Sequence, residues 1–229
     1  MTDFPFDAVL FDCDGVLVDS EPITARVLTE MLNELGWAIT FEEATRIFTG
    51  KAVRDELPLI QARTGVALSP EWFAQFRERR NAALDRELRE IPGAPDAVRA
   101  LHRTLAGRIA VASGADRRKV ELQLAKVGIA DCFGERVFSG HEMPRSKPHP
   151  DVYLAAASAL GVDPRRCAVV EDTVTGATAG VAAGATVFGY SPDANGHSSA
   201  EALRGVGVTH VFTDMAQLPG LLAGWAAAR

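Results

Sequence analysis

The stretch Val9–Glu21, VLFDCDGVLVDSE, decides how the rest of the chain is read. The apolar run Ala8–Phe11 predicts a short buried strand. It ends on Asp12, Cys13, Asp14 and Gly15, two carboxylates two positions apart and then a residue that allows a sharp turn. At strand spacing the two acids share one face. Like charges about 4 Å apart repel by roughly 4 kcal/mol at an effective dielectric near 20. A divalent cation, a shared proton or a nearby lysine must offset that repulsion. The pattern is not a calcium-binding EF-hand loop, which needs its glycine at position six and a glutamate at position twelve. Asp-x-Asp-Gly alone is common in turns. Its place directly after a buried strand makes it a candidate site.

Downstream of Glu21 the periodicity turns helical. Val27, Leu28, Met31, Leu32 and Leu35 form one helical stripe that Gly36 ends. Thr40 and Glu43 form a capping box ahead of Ala44, Ile47 and Phe48. Pro58 allows a helix over 53–64 only if it occupies the first turn. Ser69-Pro70-Glu71 starts a helix carrying Trp72, Phe73, Phe76, Leu84 and Leu88. Residues 22–88 therefore read as an all-helical insertion, closed by the turn residues Ile91–Pro95. Beyond them helices are predicted at 96–105, 116–127, 150–160 and before Gly184, with a last one capped by Asp214. Strands are predicted at 108–112, 137–139, 168–171, 185–190 and 210–212, and Ser191–Ala200 reads as a polar loop. Such alternation means a parallel sheet with helices on both faces.

The composition bounds the partners. A hydrophobic content of 47% and a charged content of 24% are those of an ordinary globular chain. A net charge of -6 argues against a broad nucleic-acid surface or an anionic membrane as partner. The basic clusters Arg77–Arg80, Arg117–Lys119 and Arg165–Arg166 read as solvated helix faces or ends. Three widely spaced cysteines fit a reducing compartment, and no C-x-x-C pair suggests zinc. Cys13 reads as a packing residue. With neither a signal-type start nor an apolar run approaching 18 residues, the expected location is the cytoplasm.

Open parallel sheets collect ligands at the carboxyl ends of their strands. Asp12 and Asp14 end the first strand, and Ser113 and Gly114 end the next, in VASG. Lys147 lies in the loop RSKPHP, and Glu171 and Asp172 end VVED. Singly each has a plain explanation: a turn with Asp116 as alternative cap, a surface lysine, an acidic helix cap. In this order and at these strand ends they point to one site. Here the chain resembles the haloacid dehalogenase-like hydrolase superfamily, whose four motifs are Asp-x-Asp, Ser or Thr, Lys, and an acidic pair. The similarity is closest to its sugar-phosphate phosphatase and β-phosphoglucomutase group, whose first motif FDCDGVLVDSE matches nearly residue for residue. FSGHEMPRSKPHP, with Arg145 ahead of Lys147, looks like bacterial sugar-acid phosphatases of the 6-phosphogluconate phosphatase type.

The resemblance implies an α/β fold, a Rossmann-like doubly wound parallel sheet core at 1–21 and 89–229 with a helical cap at 22–88. It implies a Mg²⁺-dependent phosphatase of a small phosphorylated metabolite, acting through an aspartyl-phosphate. Asp12 would be the nucleophile and Asp14 the acid and base. Ser113, Gly114 and Lys147 would bind the phosphoryl group. Asp12, Glu171, Asp172 and the Asp14 carbonyl would hold the metal. The chemistry agrees: a phosphomonoester dianion repels a carboxylate, and Mg²⁺ with oxygen ligands and a lysine neutralise it. Asp14 separates the chain from the superfamily's dehalogenases. Lys51 has no supporting pattern for the Schiff base of its phosphonatases. The cap would close over the strand ends and carry leaving-group specificity, with 49–54 facing the substrate. A mutase is the alternative, but its cap histidine and arginine places hold Thr24 and Val53 here, with Arg54 one step later. A non-catalytic binding relative should have lost Asp12, Asp14 or Lys147. The expected state is a monomer or weak homodimer without nucleic-acid or membrane partners.

Overall fold

The computed structural model describes residues 4–48, 53–192 and 198–225. Residues 49–52 of the expected substrate-facing loop, Lys51 among them, and 193–197 of the expected polar loop lie outside the described residues. The chain divides into two compact units, Met1–Val18 with Glu90–Arg229, and Asp19–Arg89.

The second unit is helical: α1 (Glu21–Glu34), α2 (Phe41–Phe48), α3 (Leu57–Thr64) and α4 (Pro70–Glu87). The stripe Val27, Leu28, Met31 and Leu32 packs with Ile39, Phe48, Ile60 and Phe76 in its core. The capping box is reciprocal, Thr40 N–H donating to Glu43 Oε2 at 3.0 Å and Glu43 N–H to Thr40 Oγ1 at 3.2 Å. Ser69 Oγ accepts from Trp72 N–H, and Pro58 occupies the first turn of α3, where its missing N–H costs nothing. Arg80 departs from the expected solvated face. It is buried, donates twice to Asn81 Oδ1, and lies 5.7 Å over the Phe76 ring.

The first unit is built on a parallel sheet. The strand β1 (Ala8–Phe11) is wholly buried; β2 (Val18–Asp19) and β3 (Arg89–Glu90) form a separate two-stranded sheet. With β4 (Ile109–Ser113), β5 (Val137–Ser139), β6 (Cys167–Glu171), β7 (Thr186–Tyr190) and β8 (His210–Phe212), β1 forms a six-stranded sheet. Its order is β5-β4-β1-β6-β7-β8, and every pairing is parallel. From β1 the chain winds outward through β4 to β5; from β6 it winds the other way through β7 to β8. The strands β1 and β6 are therefore neighbours whose outgoing chains part, the place where such sheets open a crevice. Phe11 pairs with Val170, so the register sets Asp12 level with Glu171.

The helices of this unit are α5 (Ala94–Thr104), α6 (Arg117–Lys126), α7 (Ala130–Phe133), α8 (Asp151–Ala159), α9 (Val174–Ala182), α10 (Ala200–Gly205) and α11 (Leu218–Ala223). Alternation along β1 sends Ala8 and Leu10 to the cluster with Val152, Tyr153 and Ala156 of α8 and Ala177 of α9. Phe11 faces the other way and meets Phe133 edge-on, ring centroids 6.1 Å apart. Among the described residues no helix is long and apolar enough to cross a membrane.

Several predicted boundaries move for local reasons. The helix expected from Asp96 begins at Ala94, because Pro95 suits a first turn and Gly93 supplies φ 81°. The strand expected at 108–112 runs one residue later, which makes Ser113 its last residue. Glu171 and Asp172 do not cap α9; Thr173 does, accepting from Gly176 N–H. The polar loop has buried ends, Ser191 Oγ donating to Ser198 O at 3.1 Å, and Ala200 already begins α10.

Gly180 lets α9 lie close against the sheet. A Cβ there would stand 2.9 Å from Val187 Cγ2 and 3.0 Å from Val169 Cγ1. Gly180→Val should therefore overpack this contact and cost about 1–3 kcal/mol in urea denaturation. An unchanged midpoint would mean that α9 has room to stand off.

Candidate active site

At the end of β1 the chain turns sharply. Leu17 and Val18 N–H both donate to Cys13 O, Gly15 N–H donates to Val18 O at 2.9 Å, and Gly15 has φ 75°. A Cβ on Gly15 would collide with the Asp172 carboxylate. Glycine is needed here twice, for the backbone angle and for the approach of Asp172.

Asp12 and Glu171, abreast on neighbouring strands, share Lys147. Its Nζ donates to Asp12 Oδ1 and to Glu171 Oε1, each at 2.7 Å, and the lysine side chain is only 8% exposed. It also lies 4.8 Å over the Tyr153 ring. Glu171 is completely buried and takes five donors. Lys147 and Tyr153 OH (2.9 Å) reach Oε1; Asp172 N–H, Thr173 N–H and Thr173 Oγ1 reach Oε2. A Cβ on Gly176 would run into this carboxylate, so the first turn of α9 must carry glycine to admit it.

Oxygens of Asp12, Glu171 and Asp172 all lie within 4.8 Å of one another, and all three residues are buried. A hard divalent cation fits such a donor set, since only oxygens converge and their joint charge exceeds that of Lys147. Burial pushes Asp12 up to about 7, with Lys147 opposing and Glu171 and Asp14 adding to the rise. Burial alone would lower Lys147, but Asp12 and Glu171 outweigh it and hold the ammonium well above its ordinary range. Burial, then Glu171, push the Tyr153 phenol up, which keeps it a donor.

Asp14 has a lysine of its own. Lys119 Nζ lies 2.8 Å from Asp14 Oδ1, and Gln123 Nε2 donates to the same oxygen at 2.8 Å. The expected solvated face Arg117–Lys119 is therefore corrected at Lys119, whose side chain is 8% exposed. Arg117 is half-exposed and forms a bidentate pair with Glu142, 2.7 Å on each arm. Cys13 Sγ donates to Gln123 Oε1 at 3.4 Å; burial, then Asp14, push its thiol well up, in keeping with a packing role.

Ser113 ends β4 beside β1; it is buried, and its Oγ accepts from Ala115 N–H at 3.1 Å. A side chain at Gly114 would meet open space. Asp116 caps α6 by accepting from Lys119 N–H. The structure thus brings Asp12, Lys147, Glu171 and Asp172 together and pairs Asp14 with Lys119. Sequence reasoning missed Lys119, Gln123, Tyr153 and Gly176. One available signal was the i,i+4 spacing of Lys119 and Gln123, which puts two polar side chains on one face of the helix after Ser113.

A family model described as haloacid dehalogenase-like hydrolase matches residues 6–184. Over 226 residues, 96% of each chain, the sequence is 32% identical to 6-phosphogluconate phosphatase of Escherichia coli (strain K12). It is 33% identical over 184 residues to hexitol phosphatase B of the same strain, covering 77% of this chain and 79% of that one. A crystal structure of a hydrolase of this family from Deinococcus radiodurans R1, with bound phosphate and sodium, is similar at TM-score 0.75 and 37% identity. It covers 98% of this chain and 100% of that one.

Removing Lys147 would leave Asp12 and Glu171 buried side by side without their shared cation. Breaking a buried pair in this way costs about 3–5 kcal/mol. Urea denaturation of Lys147→Met in chelator should show a loss of that order, with part of it returned by a divalent metal. A loss under about 1 kcal/mol would mean that the carboxylates are neutral or hydrated without the lysine.

Proposed function

The chain belongs to the haloacid dehalogenase-like hydrolases, and from that premise we propose a Mg²⁺-dependent hydrolysis of a small sugar phosphate or sugar-acid phosphate through an aspartyl-phosphate on Asp12. That it is a phosphatase rests on the family and on the phosphatases it is similar to. The proposal concerns the metal, the residue roles and the substrate. The observation that carries it is Asp12 itself, buried at the switch of the sheet, held by Lys147 at 2.7 Å and clustered with Glu171 and Asp172.

In this scheme an Asp12 oxygen attacks phosphorus in line as the ester P–O bond breaks. Asp14 gives a proton to the leaving oxygen and later takes one from the water that hydrolyses the aspartyl-phosphate. Lys147 keeps Asp12 ionised and cancels charge on the phosphoryl oxygens. Ser113 and the backbone about Gly114 receive another of those oxygens. Asp12, Asp172 and the Asp14 carbonyl would hold Mg²⁺, with Glu171 direct or through water. The metal would supply charge neutralisation and orientation of the phosphoryl group. The helical unit would act as the cap and carry leaving-group specificity.

The substrate class rests on the relatives, whose names specify 6-phosphogluconate and hexitol phosphates. Hydrolysis is preferred over phosphoryl transfer between sugar positions because Thr24 and Val53 carry no charge to hold a second phosphate.

Purified protein with Mg²⁺ should release inorganic phosphate from at least one member of a panel of 6-phosphogluconate, hexitol phosphates and β-glucose 1-phosphate. Chelation should abolish release. Asp12→Asn should lower it by at least about a thousandfold, with an unchanged melting curve. Activity of a folded Asp12→Asn within tenfold of the parent would sink the nucleophile assignment. Glucose 1-phosphate, given a trace of the 1,6-bisphosphate, should yield little glucose 6-phosphate. Rapid conversion without phosphate release would replace the hydrolase by a mutase.

A further inference from the structure

We propose that Lys119 and Gln123 are positioning residues for Asp14, gripping one carboxylate oxygen so that the other is aimed at the leaving group. The inference rests on the acid–base role of Asp14 given above and goes beyond it, since neither residue belongs to the four motifs. Both donors fall on one atom: Lys119 Nζ and Gln123 Nε2 each lie 2.8 Å from Asp14 Oδ1. Two bonds from one helix to one oxygen restrict rotation of the carboxylate about Cβ–Cγ more than a single bond would.

The grip is itself held in place. Gln123 is completely buried, and the Cys13 thiol donates to its Oε1 at 3.4 Å, which turns the amide so that Nε2 faces Asp14. Lys119 is fixed at its backbone too, its N–H donating to the Asp116 cap at 3.1 Å. Burying a lysine, the most solvated of side chains, is costly unless it is paired. Here its partner is the carboxylate that must be aimed. In this proposal the proton moves from Oδ2, the Asp14 oxygen other than the one that both of these bonds reach. As the bond from Asp12 to phosphorus forms and the ester P–O bond breaks, the proton on Oδ2 passes to the leaving oxygen and leaves Asp14 ionised. A misplacement of about 1 Å in such a group can cost on the order of 100-fold.

A leaving group that needs no proton separates aiming from mere structural support. p-Nitrophenolate departs without one; a sugar alkoxide does not. The values of kcat/KM, which report the steps through transfer to Asp12, are compared for p-nitrophenyl phosphate and for the best sugar phosphate of the panel. Gln123→Leu and Lys119→Met should lower kcat/KM for the sugar phosphate by about 30- to 100-fold and for the aryl phosphate by less than about threefold. Lys119→Arg should recover part of the loss. Gln123→Leu removes a neutral donor and no charge, so it carries the test if Lys119→Met does not fold. Asp14→Asn in the same assay separates the two levels of inference. If it is selective for the sugar phosphate while the Gln123 and Lys119 variants lose nothing, or lose equally on both substrates, the positioning proposal is overturned alone. If Asp14→Asn shows no selectivity, the acid role falls and the positioning proposal with it.

Discussion

The structure depends on keeping several carboxylates buried together at one edge of a parallel sheet. Asp12 and Glu171 are set abreast by the β1–β6 register, and Asp172 follows directly. Each ion removed from water costs several kcal/mol even after relaxation, and mutual repulsion adds to that. The cost is met by donors drawn from separate segments: Lys147 from the loop before α8, Tyr153 from α8 itself, and the backbone entering α9. A cluster that must offset its own burial is a weak source of stability. Stability must come from the apolar strands behind it, where β1, β4 and β6 are buried at every position.

Close packing of charge explains the glycines at this edge. Gly15 and Gly176 both stand where a methyl group would enter a carboxylate, of Asp172 and Glu171 respectively. One sits in a turn at positive φ and the other in an ordinary helical turn. They share a cause, the approach of a buried acid to backbone, although their conformations differ.

Much of this was legible in the sequence, for identifiable reasons. The six sheet strands were visible because buried parallel strands are short continuous apolar runs, and Asp12, Ser113 and Glu171 because they stand where those runs end. The helical segment was visible in its stripe and caps. What stayed hidden were polar side chains buried off the strand ends, where neither periodicity nor a motif marks them. Lys119 sits beside Arg117 and Arg118 and reads as one basic cluster, yet successive helical residues point about 100° apart, and only Lys119 turns inward to an acid 105 positions away. Arg80 was concealed in the same way among Arg77 and Arg79. Tyr153 reads as a core aromatic, and it is one; only the structure shows its hydroxyl on Glu171. Periodicity reports which face is buried, and a polar residue buried for chemistry violates it.

The strand order also gives the edge a direction. Asp12 stands on β1 with β6 on one side and β4 on the other. The β6 side ends in two acids, closed over by Gly15 and Gly176. The β4 side ends in Ser113 and Gly114, neutral, with open space where a side chain of Gly114 would go. Charge therefore grades along the sheet edge from acidic to neutral across a single strand. On the proposed reading a cation belongs to the β6 side and the anionic phosphoryl oxygens belong toward β4, with Asp12 between them and Lys147 joining Asp12 to Glu171. A symmetric arrangement, acids on both sides, would repel the phosphate from Asp12; neutral ends on both sides would leave nothing to hold a metal. The switch in winding direction at β1 and β6 is thus more than a crevice. It brings strand ends of unlike charge to either side of one carboxylate.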